Sequence, residues 1–200
     1  MTVLIVVPTY ETITTETYKA LWELSCSEHE LMFDTVKGYD CALARIKACQ
    51  KAIDYKVEWL LMVDSDTVLP RDALDNMLSH DVDVCLGYYQ FKIKTDGETC
   101  LWKLGNGNWS SRFTGRELHR LEAQGTNLVK VSGGGMGCCL IRVSVLDRIP
   151  KPWFKWIVNA DGSEVGEDVY FFRQCMSQGI DVFADTRVAC GHAYRTLHQI

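Results

Sequence analysis

Hydrophobic and polar positions follow one another along the first 90 residues in a pattern that predicts four strands separated by three helices. Short continuous apolar runs are typical of strands buried on both faces of a sheet, whereas apolar residues spaced three or four positions apart indicate a helix face. The predicted strands lie at residues 3–7, 31–33, 59–63 and 82–88. The predicted helices begin near Thr14, Asp40 and Pro70, residues favoured at helix starts. This alternation predicts an α/β fold with a mostly parallel sheet covered by helices.

The second half of the chain has a less regular pattern. Apolar runs predict strands at residues 128–132, 138–143 and 180–184. A helix is predicted from about Glu167 to Gly179, since glycine commonly follows the last turn of a helix. Residues 94–127 are rich in glycine, asparagine and serine, and we interpret them as a hairpin or a mobile loop. A length of 200 residues is enough for one domain with a sizeable core.

Polar residues follow three of the predicted strands. Ligands of parallel α/β sheets bind at the carboxyl ends of the strands, and the residues at those ends are 8–11, Asp34 and the triplet Asp64-Ser65-Asp66. The two acids of the triplet have two explanations from sequence alone. Aspartate and serine are common in turns, and paired carboxylates also form a typical half-shell for Mg²⁺ or Mn²⁺.

Charge and cysteine content narrow the possible functions. The formal net charge of −5 argues against a general nucleic-acid binder, which needs a basic face. The nine cysteines include no C-x-x-C pair, so we expect reduced thiols in a cytoplasmic protein rather than a structural zinc site. No apolar run in the sequence approaches the roughly 18 residues of a membrane span, so no transmembrane segment is expected.

Three further features could carry chemistry. Glu167 and Asp168 begin the last predicted helix, where acids stabilise the helix dipole and where a carboxylate can also act as a general base. His192 follows the last predicted strand and is either a structural residue or a neutral imidazole ligand of a metal. The segment SGGGMG at 132–137 lacks the spacing of a phosphate-binding loop. Its glycines indicate either a tight turn or a ligand close to the backbone.

Six motifs, in order along residues 3–192, resemble those of a known family. They are VVPTYE, ALAR, MVDSDTVLP, GGGMGCCLIRVSVLDRIPKPWF, GEDVYFFRQCMSQGIDVFADTRV and CGH. The series resembles that of glycosyltransferases with the GT-A fold, in particular family 2-like enzymes. The resemblance implies a Rossmann-like, mostly parallel sheet flanked by helices, with a small antiparallel portion on the acceptor side. It also implies a nucleotide-binding half at 1–90 and an acceptor and catalytic half at 91–200.

The resemblance implies a role for particular residues in binding substrates. Those expected to bind the nucleotide or the donor sugar are Pro8, Thr9, Tyr10, Glu11, Asp34, Arg45, Asp64, Ser65, Gly134, Gly135 and Met136. Tyr10 and Asp34 could serve either uracil or guanine. Trp153 and Phe154 are expected near the acceptor.

The resemblance also implies a metal site and a catalytic base. Asp66 and His192 are expected to bind Mn²⁺ or Mg²⁺ directly, and Asp64 is expected to be shared between the metal and the ribose. The divalent metal would stabilise the departing nucleoside diphosphate. Asp168, preceded by Glu167, is expected to deprotonate the acceptor hydroxyl.

These expectations describe a metal-dependent glycosyltransferase. The donor would be a UDP- or GDP-linked sugar, and the acceptor a glycan, a lipid-linked molecule or a protein. Direct in-line attack would invert the anomeric carbon, whereas retention would need a different arrangement of groups, and the sequence leaves both open. Two alternatives are a nucleotidyltransferase on a related sheet and a non-catalytic module that binds nucleotide sugars. A nucleotidyltransferase is expected to carry a glycine- and lysine-rich loop after its first strand, and the sequence PTYETITTET has none. Binding alone does not require the base Asp168.

Overall fold

The computed structural model describes residues 1–90, 97–105 and 111–193. Its helices are α1 (Thr15–Trp22), α2 (Cys41–Asp54), α3 (Ala73–Leu78), α4 (Gly115–Ala123), α5 (Val145–Arg148) and α6 (Glu167–Ser177). Its strands are β1 (Thr2–Thr9), β2 (Glu30–Lys37), β3 (Trp59–Val63), β4 (Thr67–Val68), β5 (Val84–Tyr88), β6 (Glu98–Lys103), β7 (Arg112–Thr114), β8 (Leu128–Gly133), β9 (Cys138–Arg142), β10 (Ile157–Val158), β11 (Glu164–Val165), β12 (Val182–Ala189) and β13 (Gly191–His192).

Nine strands of the described ranges form one sheet, in the order β2-β1-β3-β9-β5-β12-β8-β6-β7. β1 lies parallel to β2 and β3, and β5 lies parallel to β12. β9 lies antiparallel between β3 and β5, so these two strands point the same way. Six of the nine strands (β1, β2, β3, β5, β6 and β12) therefore run in one direction. This confirms the predicted mostly parallel sheet. Small antiparallel sheets are formed by β10 with β11 and by β4 with β13.

The central strands are apolar on both faces because helices cover both sides of the sheet. Successive side chains of a strand point to opposite faces. On β1, Leu4 therefore packs in the cluster that includes Ala48 of α2, whereas Ile5 packs in the cluster that includes Leu74 of α3. All five residues of β3 are buried. This two-sided burial accounts for the continuous apolar runs in the sequence.

Several predicted boundaries are confirmed by hydrogen bonds. The Oγ1 of Thr14 accepts from the N–H of Thr17 at 3.3 Å, at the start of α1. The Oδ1 of Asp40 accepts from the N–H of Leu43 at 2.9 Å, at the start of α2. Each cap satisfies a backbone donor that has no partner within its own helix. The third predicted strand has its predicted limits, 59–63.

β1 extends beyond its predicted end. The prediction that this strand ends at residue 7, before Pro8, is wrong, because β1 continues to Thr9. Proline lacks the N–H that a central strand needs, but β1 pairs with β3 only from Val3 to Val6. Pro8 lies beyond this pairing, opposite Val36 of β2, and its missing donor therefore interrupts no bond to β3.

Residues 97–105 and 111–127 contain more regular structure than expected. β6 pairs antiparallel with β7, which confirms the hairpin interpretation; residues 94–96 and 106–110 of that segment lie outside the described residues. Helix α4 was not predicted. It begins with a capping box, in which Thr114 Oγ1 accepts from the N–H of Glu117 and the Glu117 carboxylate accepts from the N–H of Thr114. The T-x-x-E spacing was the available signal.

The cysteines and the helices agree with the expectations from composition. All nine cysteines are free thiols, and six of them are buried, where a thiol packs as a small apolar side chain. A cytoplasmic location stays a prediction. None of the helices in the part of the chain that the structure describes is both long enough and apolar enough to cross a membrane.

Candidate functional site

A cleft of about 450 Å³ lies at the carboxyl ends of β1 and β3. It is lined by Pro8, Thr9 and Tyr10 from the end of β1, by the triplet 64–66 that follows β3, and by Arg45 from α2. All seven of these residues were singled out from the sequence. The cleft brings them together because β1 and β3 are parallel neighbours that end at the same edge of the sheet.

Four other residues line the cleft and were not predicted, namely Tyr39, Asp40, Cys41 and Ala44. They lie between the end of β2 and the first turn of α2. Thr9 pairs with Lys37 at the end of β2, so the turn after β2 lies beside the end of β1. The sequence pattern predicted that the second strand ends at residue 33, whereas β2 continues to Lys37. With the shorter predicted strand, Tyr39 was not expected near the site.

The Asp64-Ser65-Asp66 triplet forms a turn that hydrogen bonds to other segments hold in place. The N–H of Thr67 donates to the carbonyl oxygen of Asp64 at 3.0 Å, which closes the turn. The carbonyl oxygen of Ser65 accepts from the N–H of Thr14 at 2.9 Å, and the N–H of Asp64 donates to Gly137 at 3.1 Å. The turn explanation of these acids is therefore correct. It does not exclude the metal explanation, because the triplet also lines the cleft.

Arg45 joins the two acidic segments of the site. Its Nη2 lies 3.1 Å from Oδ1 of Asp64, and its Nε donates to Oε1 of Glu167 at 3.2 Å. Burial alone would lower the pKa of the guanidinium, but the charges of Asp64 and Glu167 outweigh burial and raise that pKa. The third nitrogen, Nη1, is buried and has no hydrogen-bond partner among the described residues. Nη1 therefore leaves its two N–H donors for a ligand in the cleft that Arg45 lines.

Asp168 lies in the first turn of α6, next to Glu167. Its Oδ1 accepts from the N–H of Val169 at 2.6 Å. Burial raises the pKa of Asp168, and the neighbouring charge of Glu167 raises it further. A carboxylate with a raised pKa is a candidate for proton transfer. Asp168 is not among the residues that line the cleft, but its neighbour Glu167 contacts Arg45, which does. Glu167 differs from it because its carboxylate is held by Arg45.

His192 lies beside Asp66 in the fold. It pairs with Thr67 across the β4–β13 ladder, and the N–H of Ala193 donates to the carbonyl oxygen of Asp66 at 2.8 Å. The imidazole packs on Tyr89, with ring centroids 4.3 Å apart. Residues 1–90, 97–105 and 111–193 contain no group of three His, Cys, Asp or Glu side chains arranged to hold a metal by themselves. Direct binding of a metal by Asp66 and His192 stays a prediction, and such a metal would need further ligands from substrate phosphates and water, as Mg²⁺ commonly has.

Gly134, Gly135 and Met136, which were expected beside the donor sugar, are all buried. A Cβ on Gly135 would lie only 2.0 Å from Oη of Tyr89, and a Cβ on Gly137 would lie 2.8 Å from its ring. The glycines therefore leave room for Tyr89, which sequence analysis did not identify. The available signal was its position directly after β5, at the same edge of the sheet. A contact between these three residues and the sugar stays a prediction.

Asp34 and Glu11 are not among the residues that line the cleft. Asp34 lies in the middle of β2, opposite Val6. Its carboxylate accepts from Nζ of Lys51 at 2.6 Å and from the hydroxyl of Tyr55 at 3.0 Å. Burial by itself would raise the pKa of Asp34, but these hydrogen bonds outweigh it and lower that pKa. Nucleotide contacts of Asp34 and Glu11 stay predictions.

Trp153 and Phe154, which were expected near the acceptor, are packed in the core. They are 2% and 1% exposed. Nε1 of Trp153 donates to the carbonyl oxygen of Leu146 at 2.9 Å, and Phe154 stacks on Phe171 with ring centroids 4.8 Å apart. The indole N–H of Trp153 and the ring of Phe154 thus both have their partners within the protein. Their contact with an acceptor stays a prediction.

Two solved structures are similar to nearly all of this chain. A crystal structure of A197 from STIV has a TM-score of 0.66 and 20% identity, covering 97% of this chain and 86% of that one. A crystal structure of GalNAc-T7 with UDP, GalNAc and Mn²⁺ has a TM-score of 0.56 and 13% identity, covering 97% of this chain and 43% of that one. This chain thus spans less than half the length of the second structure. No protein-family model and no curated protein sequence matches it.

At these identities the likeness establishes the fold alone. The nine-stranded, mostly parallel sheet, the covering helices and the small antiparallel sheets form a GT-A-like α/β fold, as the similarity to GalNAc-T7 indicates. This confirms the fold class that the six sequence motifs implied.

Proposed function

We propose that this protein is a metal-dependent glycosyltransferase of the family 2-like GT-A kind, which transfers a sugar from a nucleoside-diphosphate sugar to an acceptor hydroxyl. The observation that carries the proposal is the bridge that Arg45 makes between Asp64 and Glu167. The bridge joins the cleft to the helix start that carries Asp168. A protein with the same type of fold has been crystallised with UDP, GalNAc and Mn²⁺, which supports a similar class of ligand for this chain.

The cleft supports the donor part of the proposal. Its volume of about 450 Å³ lies in the range of small-molecule sites. Tyr10 is 75% exposed at its rim, and its ring can pack on a uracil or guanine base, with Pro8 and Thr9 beside the base and the ribose. The Nη1 of Arg45 can donate to a phosphate oxygen, and a buried donor without a partner gains most from such a bond.

In this proposal the metal is Mn²⁺ or Mg²⁺, held by Asp66 and His192. Asp64 would contact the metal through its water ligands, because its carboxylate already pairs with Arg45. When bound, the metal would neutralise the negative charge that develops on the departing diphosphate.

Asp168 is the proposed base. The acceptor oxygen forms a bond with the anomeric carbon, the bond from that carbon to the diphosphate oxygen breaks, and the acceptor proton moves to the Asp168 carboxylate. Attack on the side opposite the leaving group inverts the anomeric carbon. The raised pKa of Asp168 favours this role, because a base is most effective when its pKa lies nearer the working pH.

Thermal unfolding with a set of UDP- and GDP-sugars, with and without Mn²⁺, tests the proposal. A donor at about 100 times its Kd should stabilise the wild-type fold by about 2.7 kcal/mol and release UDP or GDP. Asp66→Ala should lose the Mn²⁺-dependent part of this stabilisation, whereas Asp147→Ala, at an exposed aspartate of α5, should keep it.

Three outcomes would contradict the proposal. The absence of stabilisation by every nucleotide sugar would exclude this class of donor. Binding without any release of a nucleoside diphosphate would favour the non-catalytic module. Formation of a nucleotide sugar from a sugar phosphate and a nucleoside triphosphate would favour the nucleotidyltransferase.

A further inference from the structure

Trp156 is a large aromatic side chain that the fold leaves exposed. It is 53% exposed, whereas Trp153, three residues earlier, is 2% exposed. Trp156 directly precedes β10, and the β10–β11 hairpin is held by the pairing of Ile157 with Val165. The backbone next to the indole ring is therefore fixed by the hairpin.

The ring of Trp156 lies beside the proposed base. A Cβ on Gly166 would lie 3.7 Å from Cζ3 of Trp156 and 2.8 Å from Oδ1 of Asp168. The indole ring and the carboxylate thus border the same small space, which the missing side chain of Gly166 leaves open. The next residue, Glu167, contacts Arg45 of the cleft, so the segment 166–168 runs between Trp156 and the donor site.

The surface around Trp156 is otherwise polar. Residues 158–164 are all exposed, and Val158 is the one large apolar residue among them. Asn159 and Asp161 are hydrogen-bonded to Ser163 within the hairpin. The hairpin offers one flat apolar ring with a polar border rather than a continuous apolar groove.

We propose that the acceptor is a glycan, and that one of its pyranose rings stacks on Trp156 with a ring hydroxyl directed to Asp168. A pyranose has an apolar C–H face, which suits the electron-rich face of an indole, and a polar edge of hydroxyls, which suits the polar border. A lipid chain would need a longer apolar surface than this hairpin provides. The proposal rests on the function proposed above, and it selects one of the three acceptor classes that the sequence left open.

The test is the binding of disaccharides to the whole protein loaded with UDP and Mg²⁺. Cellobiose, lactose, chitobiose and mannobiose are the glycan probes, n-octanol and a serine-containing peptide are the comparison probes, and saturation-transfer NMR measures binding. The variants are Trp156→Ala, Trp156→Phe and the matched control Trp22→Ala, since Trp22 is 80% exposed at the end of α1.

We expect the wild-type protein to bind at least one disaccharide. Trp156→Ala should lower that affinity about tenfold, and lower the UDP affinity less, because a stacking contact of this size is lost only on the acceptor side. Trp156→Phe should restore most of the binding, and Trp22→Ala should bind as the wild type does. If the alanine variant unfolds, Trp156→Leu takes its place, because leucine keeps an apolar side chain without an aromatic face and should lower the affinity to a similar extent.

The proposal is overturned if no disaccharide binds, if only n-octanol or the peptide binds, or if Trp156→Ala and Trp156→Phe both bind disaccharides as the wild type does. The nucleotide-sugar binding and nucleotide-release measurements described above, made on the same protein without added UDP, separate this failure from a failure of the proposed function. Release of nucleoside diphosphate without disaccharide binding would refute the glycan acceptor alone. Disaccharide binding through Trp156 without binding of any nucleotide sugar would refute the glycosyltransferase and leave the glycan surface.

Discussion

Nε of Arg45 donates a hydrogen bond of 3.2 Å to Oε1 of Glu167, a residue 122 positions further along the chain. The bond connects α2, in the first half of the chain, to the start of α6, in the second half. Only 5% of Arg45 is exposed, so the two carboxylates that it holds depend on it for their compensating charge. The arginine thus fixes the position of the proposed base relative to the donor cleft.

Arg45→Met should lower the free energy of unfolding by about 3 kcal/mol, because it leaves the buried carboxylate of Glu167 without its partner. Urea unfolding measures the change. The double variant Arg45→Met/Glu167→Gln should recover part of the loss, since it removes the uncompensated charge as well. Purely additive effects of the two substitutions would contradict a direct interaction.

Asp168→Asn should reduce turnover at least about 100-fold, the usual contribution of a positioned general base, and keep donor binding. It should also stabilise the fold at neutral pH. The pKa of Asp168 is raised in the folded protein, so the ionised carboxylate lowers the free energy of unfolding when the pH is above that pKa. This destabilisation disappears as the pH falls below the pKa that Asp168 has in the unfolded chain.

The stabilising effect of Asp168→Asn should therefore grow as the pH rises from 3.8, the ordinary pKa of this group, through its raised folded-state pKa. Thermal unfolding from pH 3.5 to pH 7 checks it, with Asp147→Asn as an exposed control. An equal effect of Asp168→Asn at every pH would contradict the raised pKa.

Gly135→Ala should destabilise the fold by roughly 1–3 kcal/mol, the usual cost of overpacking. Its Cβ would lie 2.0 Å from the hydroxyl oxygen of Tyr89. Tyr89→Phe removes that oxygen, so the double variant should recover part of the loss. Gly191→Ala is the matched control, because its Cβ would meet Val68 at an ordinary 3.5 Å. Denaturant unfolding of the wild type, the single variants Gly135→Ala and Tyr89→Phe, their double variant and Gly191→Ala checks this. The absence of any rescue by phenylalanine would contradict the contact.

Asp34→Asn should destabilise the fold at neutral pH by about 1 kcal/mol or less, the usual value of a partly exposed ion pair. Because the pKa of Asp34 is lowered, its contribution is present above 3.8, its ordinary value, and is lost as the pH falls through the lower folded-state pKa. Titration of UDP into the same variant tests the predicted base contact. Unchanged UDP affinity would contradict that contact, whatever happens to stability.

Local features of the fold could be predicted because they depend on neighbouring residues. The helix caps Thr14 and Asp40 bond to residues three positions away, and the strand at 59–63 is apolar throughout. The missed helix α4 had a local signal too, in the spacing of Thr114 and Glu117. In each case the interacting groups are close along the chain, so the pattern carries the information.

Packing between distant segments decided the rest of the site. Tyr89 fits against Gly135 only because β5 and the glycine-rich segment meet at one edge of the sheet. Trp153 and Trp156 are both large aromatic residues and look alike in the pattern of apolar positions. Trp153 is buried and Trp156 is exposed, because the chain leaves the core after Phe154 and enters the β10–β11 hairpin directly after Trp156.

The order of residues along the chain shows that two acids follow a buried strand, that two more begin a helix and that a histidine follows the last long strand. Folding then pairs Arg45 with one acid from each of these acidic segments and places His192 beside Asp66. These pairings could not be predicted from the sequence pattern, because the burial and pairing of charges depend on which distant segments become neighbours, and the packing of the whole sheet sets the order of its strands.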